Sequence, residues 1–137
     1  MELQVGVKIL LKNKDGKYLV VCRSSKKYPE VGARWDIVGG RINIGEKLIQ
    51  NLEREVMEET GLEIEGKPKL IEAQDILRIQ GKHVVRLTYL GNADGKVILS
   101  DEHSDYKWLS LEEILKLEPM DIYFKEVLAN FFNILKE

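Results

Sequence analysis

Glu55, Glu58 and Glu59 are the residues of this sequence best equipped to do chemistry. They fall in a stretch with helical periodicity. On a helix of about 100° per residue, Glu59 lies about 40° from Glu55, and Glu58 lies about 60° to the other side. Like charges this close repel, and near a helix C-terminus the macrodipole gives them no help. A hard divalent cation offsets that repulsion. Mg²⁺ or Mn²⁺ takes oxygen ligands and accepts substrate phosphates as further ligands.

A cluster of this kind needs a helix that is anchored along another face. Leu48, Ile49, Leu52 and Val56 supply such a stripe, spaced to pack a helix on a sheet, with the helix expected to run from Glu46. Glu55 and Glu59 fall beside the stripe, so the carboxylates face a cleft while the apolar residues hold the helix down. Lys47 and Glu53 fit an ordinary solvated face. Gly39-Gly40 precede the helix, where the absence of Cβ allows close backbone approach, and Gly61 follows as a left-handed cap.

The rest of the chain supplies a sheet and more helix. Val5, Val7, Ile9 and Leu11 alternate with Gly6, Lys8, Leu10 and Lys12, a strand pattern. Lys14-Asp15-Gly16-Lys17 is a turn, and Tyr18 to Cys22 returns as a central strand. A polar loop from Arg23 through Pro29 to Gly32 is expected to rim a site. Trp35 to Val38 reads as one short strand leading into the two glycines. Lys69–Ile79 and His83–Leu90 read as an antiparallel pair. The loop 100–105 precedes a strand over Tyr106–Leu109. Ser110 with Glu113 forms a capping box, and Pro119 separates that helix from a terminal one with Ile122, Val127, Leu128, Phe131, Phe132 and Leu135 on its face.

The stretch from Gly40 to Leu62 also resembles the Nudix box, Gly-x5-Glu-x7-Arg-Glu-U-x-Glu-Glu-x-Gly-U with U apolar. Gly40, Glu46, Arg54, Glu55, Val56, Glu58, Glu59, Gly61 and Leu62 stand at its specified positions. The resemblance implies an α/β/α sandwich, with a mixed β-sheet between helices, spanning 1–137 as a single domain. It implies Mg²⁺-dependent hydrolysis of a nucleoside diphosphate linked to another group, with Mn²⁺ as a substitute cation. Glu55, Glu58 and Glu59 would hold the metal, Gly40 would add a carbonyl, and Glu46 and Arg54 would support the glutamates. Many relatives carry Pro-Gly-Gly where this chain has Val38-Gly39-Gly40, which loosens the turn without removing a functional side chain.

Outside the box, Arg23 is a candidate for binding phosphate through its guanidinium fork, and Trp35 for shielding the site or stacking on a base. Glu102 is the first choice of general base and Asp105 the second, since the resemblance implies that some relatives take that group from a loop across the sheet. His103 in the same loop is read as exposed and Trp108 as core. His83 lacks the partners of a transition-metal site.

Composition narrows the alternatives. At 137 residues and 44% hydrophobic, the chain is long and apolar enough for one continuous core. A net charge of −2 gives no general drive toward nucleic acid or acidic membrane, and Lys26-Lys27 is too brief a basic run for an RNA surface. Cys22 stands alone, so no intrachain disulfide forms, which suits a cytoplasmic compartment. The first residues are too polar for a signal peptide or span. The expected partner is a small nucleotide, with a homodimer left open. A non-catalytic nucleotide sensor and an RNA end-processing enzyme are the alternative functions.

Overall fold

The computed structural model describes residues 1–26 and 33–136. The stretch of the expected rim loop covering 27–32 lies outside the described residues.

Among the described residues, seven strands form one mixed sheet: β1 (Glu2–Lys12), β2 (Tyr18–Arg23), β3 (Trp35–Asp36), β4 (Val38–Arg41), β5 (Glu65–Ile76), β6 (Lys82–Asn92) and β7 (His103–Leu109). Helix α1 (Leu48–Thr60) covers one face, and α2 (Leu111–Leu115) with α3 (Ile122–Leu135) covers the other. The architecture is therefore the expected α/β/α sandwich. β1 runs parallel to β6 and antiparallel to β4, and β5 pairs antiparallel with β6.

Alternation along the strands sorts side chains between two cores. Val7, Ile9, Leu19, Val21 and Val38 pack under Leu52 and Val56 of α1, all fully buried. Leu10, Val20 and Ile37 pack on the other face against Ile114, Phe124, Val127 and Leu128. Burying each such side chain contributes about 1.5–3 kcal/mol.

One departure from sheet regularity makes the site. β1 and β2 share only the Lys12–Tyr18 pair before they part. β4 then lies against β1 opposite Gly6 to Ile9, while β2 pairs instead with β3 and β7. The sheet splays, and a cavity opens between its halves.

Some boundaries differ from the sequence reading. α1 begins at Leu48 rather than Glu46, because Gly45 takes φ +90° and Glu46 closes a turn onto Asn43. The strand expected over Trp35–Val38 breaks at Ile37, where the chain changes partner from β2 to β1. β7 starts at His103, earlier than its polar composition suggests, because pairing with β2 extends to Arg23. In α3, Ile122 is 60% exposed and Phe124 is the buried residue of the first turn. Asp121 sets that rotation by capping the N–H groups of Tyr123 and Phe124.

Candidate active site

Two glycines let α1 reach the cavity. At Gly39, φ is +144°, and a Cβ would stand 2.0 Å from the Val7 carbonyl oxygen. At Gly40, a Cβ would stand 2.9 Å from a Glu55 carboxylate oxygen. Without side chains there, β4 crosses closely over β1 and the helix carboxylates fit beneath it. The Gly39 N–H donates to Glu59 Oε2 at 3.1 Å.

The cavity has a volume of about 740 Å³. Glu55, Glu59 and Glu102 line one end, together with both glycines. Glu59 is 4% exposed. Burial, and then its neighbours Glu55 and Glu102, push its carboxyl up to about 8 against the opposing pull of Lys8. Burial also raises Glu55, with Glu58 and Glu102 adding to the rise and Arg54 opposing it. These carboxylates therefore face one another with too little positive charge among them.

Arg54 organises the outer side of the helix. It bonds Glu46 at 3.2 Å, Glu58 at 2.9 Å and Asn51 at 2.9 Å, and lies 3.3 Å from Glu55. Glu58 is turned outward to this arginine and does not line the cavity. The helix angles place three carboxylates on one side, but the structure brings only Glu55 and Glu59 into the cavity, because Arg54 claims the third. Asn51, fully buried, accepts from the Asn43 N–H and ties the preceding loop to the helix.

Arg23 lines the cavity from the end of β2. Trp35 does not: at 8% exposed it packs in the α3-side core, with Lys107 over its ring at 5.7 Å. Asp105 pairs with Cys22 in the β2–β7 ladder, is exposed and stands outside the cavity lining. His103, read as an exposed loop residue, is instead a strand residue with its imidazole 3.6 Å from Glu59. Burial, then repulsion from Lys8 and Arg23, lowers it to about 4, so it is neutral at ordinary pH. His83 pairs with Asp75 at 2.7 Å away from the cavity, and Trp108 packs against the α1-side core.

The strand side of the cavity is a buried ion network. Lys8 lies 3.4 Å from Asp36 and donates to the Ile37 carbonyl. Arg86 bridges Asp36 at 2.8 Å and Asp121 at 2.7 Å. Arg78 and Arg34 approach Asp121 at 3.3 and 3.8 Å. Burial alone would raise Asp36, but Arg86 and Lys8 hold it well below the usual carboxylate range. Sequence reading passed over these residues. Their signal was a charge lodged in an apolar strand, as Lys8 between Val7 and Ile9 or Asp36 between Trp35 and Ile37, since buried charge is tolerated only when paired.

The donor set suits a hard cation. Glu55, Glu59 and Glu102 turn carboxylate oxygens toward one cavity, where a divalent ion would relieve their mutual repulsion, and Gly40 leaves room against Glu55. Among the described residues, no three carboxylate, imidazole or thiol groups already converge at coordination distance. The cavity offers the oxygen donors and the negative charge that a hard cation requires.

A family model described as the NUDIX domain matches residues 2–131. Among solved structures, the MutT protein from Methanosarcina mazei Go1 is 31% identical, with 98% of this chain and 96% of that chain covered and a TM-score of 0.85. The MutT NUDIX hydrolase from Burkholderia pseudomallei is 26% identical, covering 94% and 98%, with a TM-score of 0.79. The E. coli ORF135 protein, at 23% identity, 98% and 91% coverage and a TM-score of 0.80, shares the fold. No curated protein matched the sequence.

Proposed function

The chain belongs to the NUDIX family, and on that premise we propose that it hydrolyses the pyrophosphate linkage of a small nucleoside diphosphate derivative with the help of a divalent cation. The substrate class spans nucleoside triphosphates and ADP-ribose or nucleotide-sugar types. One observation carries the reading: two helix carboxylates and Glu102 face a single cavity with their charge unbalanced.

Glu55, Glu59 and the Gly40 carbonyl would hold Mg²⁺, or Mn²⁺ in its place, and Glu58 joins them only by giving up its contact with Arg54. When bound, the cation supplies charge neutralisation of the pyrophosphate and Lewis-acid activation at phosphorus. The remaining roles belong to the chain. The Gly39 N–H fixes Glu59, and Arg54 fixes Glu55 while tying it to Glu46. Arg23 binds a phosphoryl oxygen through its fork. Glu102 takes the proton of the attacking water as the new phosphorus–oxygen bond forms and the bridging bond breaks. Asp105, outside the cavity, is the weaker candidate for that role. His103, neutral and buried, limits how far the Glu59 carboxylate can swing.

The test is product identification across a nucleotide panel with Mg²⁺ in water labelled with heavy oxygen. The expected result is cleavage of one phosphoanhydride, with label in one phosphate product. Saturable binding of the same nucleotides without any turnover would make the protein a sensor instead.

A further inference from the structure

The strand end of the cavity is built for a ligand group of its own. Arg34, Arg78, Lys82 and Arg86 line it, and Asp36 and Asp121 are the carboxylates that answer them. Both carboxylates are already engaged. Asp121 is fully buried and accepts from Arg86, Arg78 and the N–H groups of Tyr123 and Phe124. Asp36 accepts from Arg86 and the Ile37 N–H, with Lys8 beside it. Among the described residues donors remain in surplus, since each guanidinium carries five N–H groups. The Nε of Arg86, a residue 3% exposed, is buried with no hydrogen-bond partner among them. Arg78 is held against the Tyr123 ring at 4.9 Å, which pre-sets its fork. Arg34 and Arg78 repel each other across Asp121. An occupant here must bring acceptors and negative charge. A group with donors of its own, such as an amino-bearing base edge, meets two carboxylates already engaged by arginine. No Phe, Tyr or Trp stands among the described residues lining the cavity, so a stacking platform is not part of that lining.

We propose that the Arg34–Arg78–Arg86 end of the cavity is a second anion subsite, which binds a phosphate or carboxylate carried by the substrate remote from its scissile pyrophosphate. This rests on the pyrophosphatase reading for the identity of the molecule, though not for the existence of the subsite. It narrows the substrate to derivatives with negative charge at both ends, such as a nucleoside diphosphate joined to a phosphorylated sugar.

The test uses metal-free protein in chelator, where the glutamate end repels anions and the Arg34 and Arg78 variants separate binding at the arginine end from binding at Arg23. Inorganic phosphate and malonate are titrated at constant ionic strength while the arginine Nε–H resonances are followed. The expected result is saturable binding, with the Arg86 signal shifting and affinity falling at least about tenfold in both Arg78→Gln and Arg34→Gln, the scale of one lost charge-assisted contact. The stronger of the two anions identifies the group. Absence of saturation, or unchanged affinity in both variants, overturns the subsite. So would an uncharged nucleoside shifting the same signals while phosphate and malonate do not, which would assign the end to a nucleobase. Phosphate binding in a protein that hydrolyses no pyrophosphate would overturn the proposed function and leave the subsite standing.

Discussion

At the helix end of the cavity, carboxylates face carboxylates; at the strand end, Asp36 and Asp121 are wrapped in arginine. Burial does not distinguish the two ends. Glu59 is 4% exposed and Asp36 is 7% exposed. Yet Glu59 is pushed up to about 8, while Asp36 is held below the ordinary carboxylate range. Desolvation penalises both anions, and partners decide the sign. Arg86 and Lys8 outweigh the penalty at Asp36, whereas Lys8 and the Gly39 N–H fall short of it at Glu59. At one end the carboxylates are settled within the fold. At the other they are not, as expected of a site that works through ligands.

Substitutions that exchange these conditions test the contrast. The largest effect should come from Glu59→Gln, which removes a charge while keeping an acceptor for the Gly39 N–H. Its kcat should fall by orders of magnitude in steady-state assays, with the thermal midpoint unchanged or raised. Near-wild-type turnover would show that the unbalanced end is not where chemistry happens. At the settled end the cost should be structural. Arg86→Met leaves Asp36 and Asp121 buried without their bridge, so urea titration should show a loss of about 3–5 kcal/mol. A loss under about 1 kcal/mol would mean the network is solvated rather than buried.

Smaller effects separate groups within the glutamate end. Glu102→Gln should lower kcat by about 10²-fold through loss of the base, whereas Asp105→Asn outside the cavity should leave it within about twofold. Equal pH–rate profiles for wild type and both variants would remove Glu102 as base.

The smallest effect is a pH slope in chelator. Glu59 binds a proton in the folded state up to about pH 8 and loses it near 4.5 when unfolded, so folded protein holds the extra proton and stability falls as pH rises across that window. His103 acts oppositely between about 4 and 6.5, where the unfolded chain binds the proton and stability rises with pH. Between 6.5 and 8 the Glu59 contribution stands without that of His103, and about 1–2 kcal/mol should be lost. Glu59→Gln should flatten that slope.

The contrast also explains what the sequence disclosed. The helix end is mostly local: apart from Glu102, Gly39 to Leu62 carries its carboxylates, its anchoring stripe and its cap within one continuous stretch, and helical spacing places them. Spacing says which side of the helix Glu58 occupies, but not that Arg54 would hold it outward. The strand end is assembled from Lys8, Asp36, Arg86 and Asp121, which lie in four separate segments. Each looks alone like a misplaced charge. Their pairing follows from strand register, as Gly6 opposite Arg86, and from the splaying of β1 from β2. Neither leaves a trace in local periodicity. The start of β7 is hidden for the same reason: His103 to Asp105 read as loop until pairing with β2 recruits them.

Metal removal tests most directly whether the glutamate end works only with a cation. Protein stripped of divalent ions is assayed on its best substrate, then titrated with Mg²⁺ and Mn²⁺. Turnover should vanish on stripping and return with either ion, while the fold persists throughout because Leu52 and Val56, both fully buried, anchor α1. Robust hydrolysis by the metal-free protein would contradict the account.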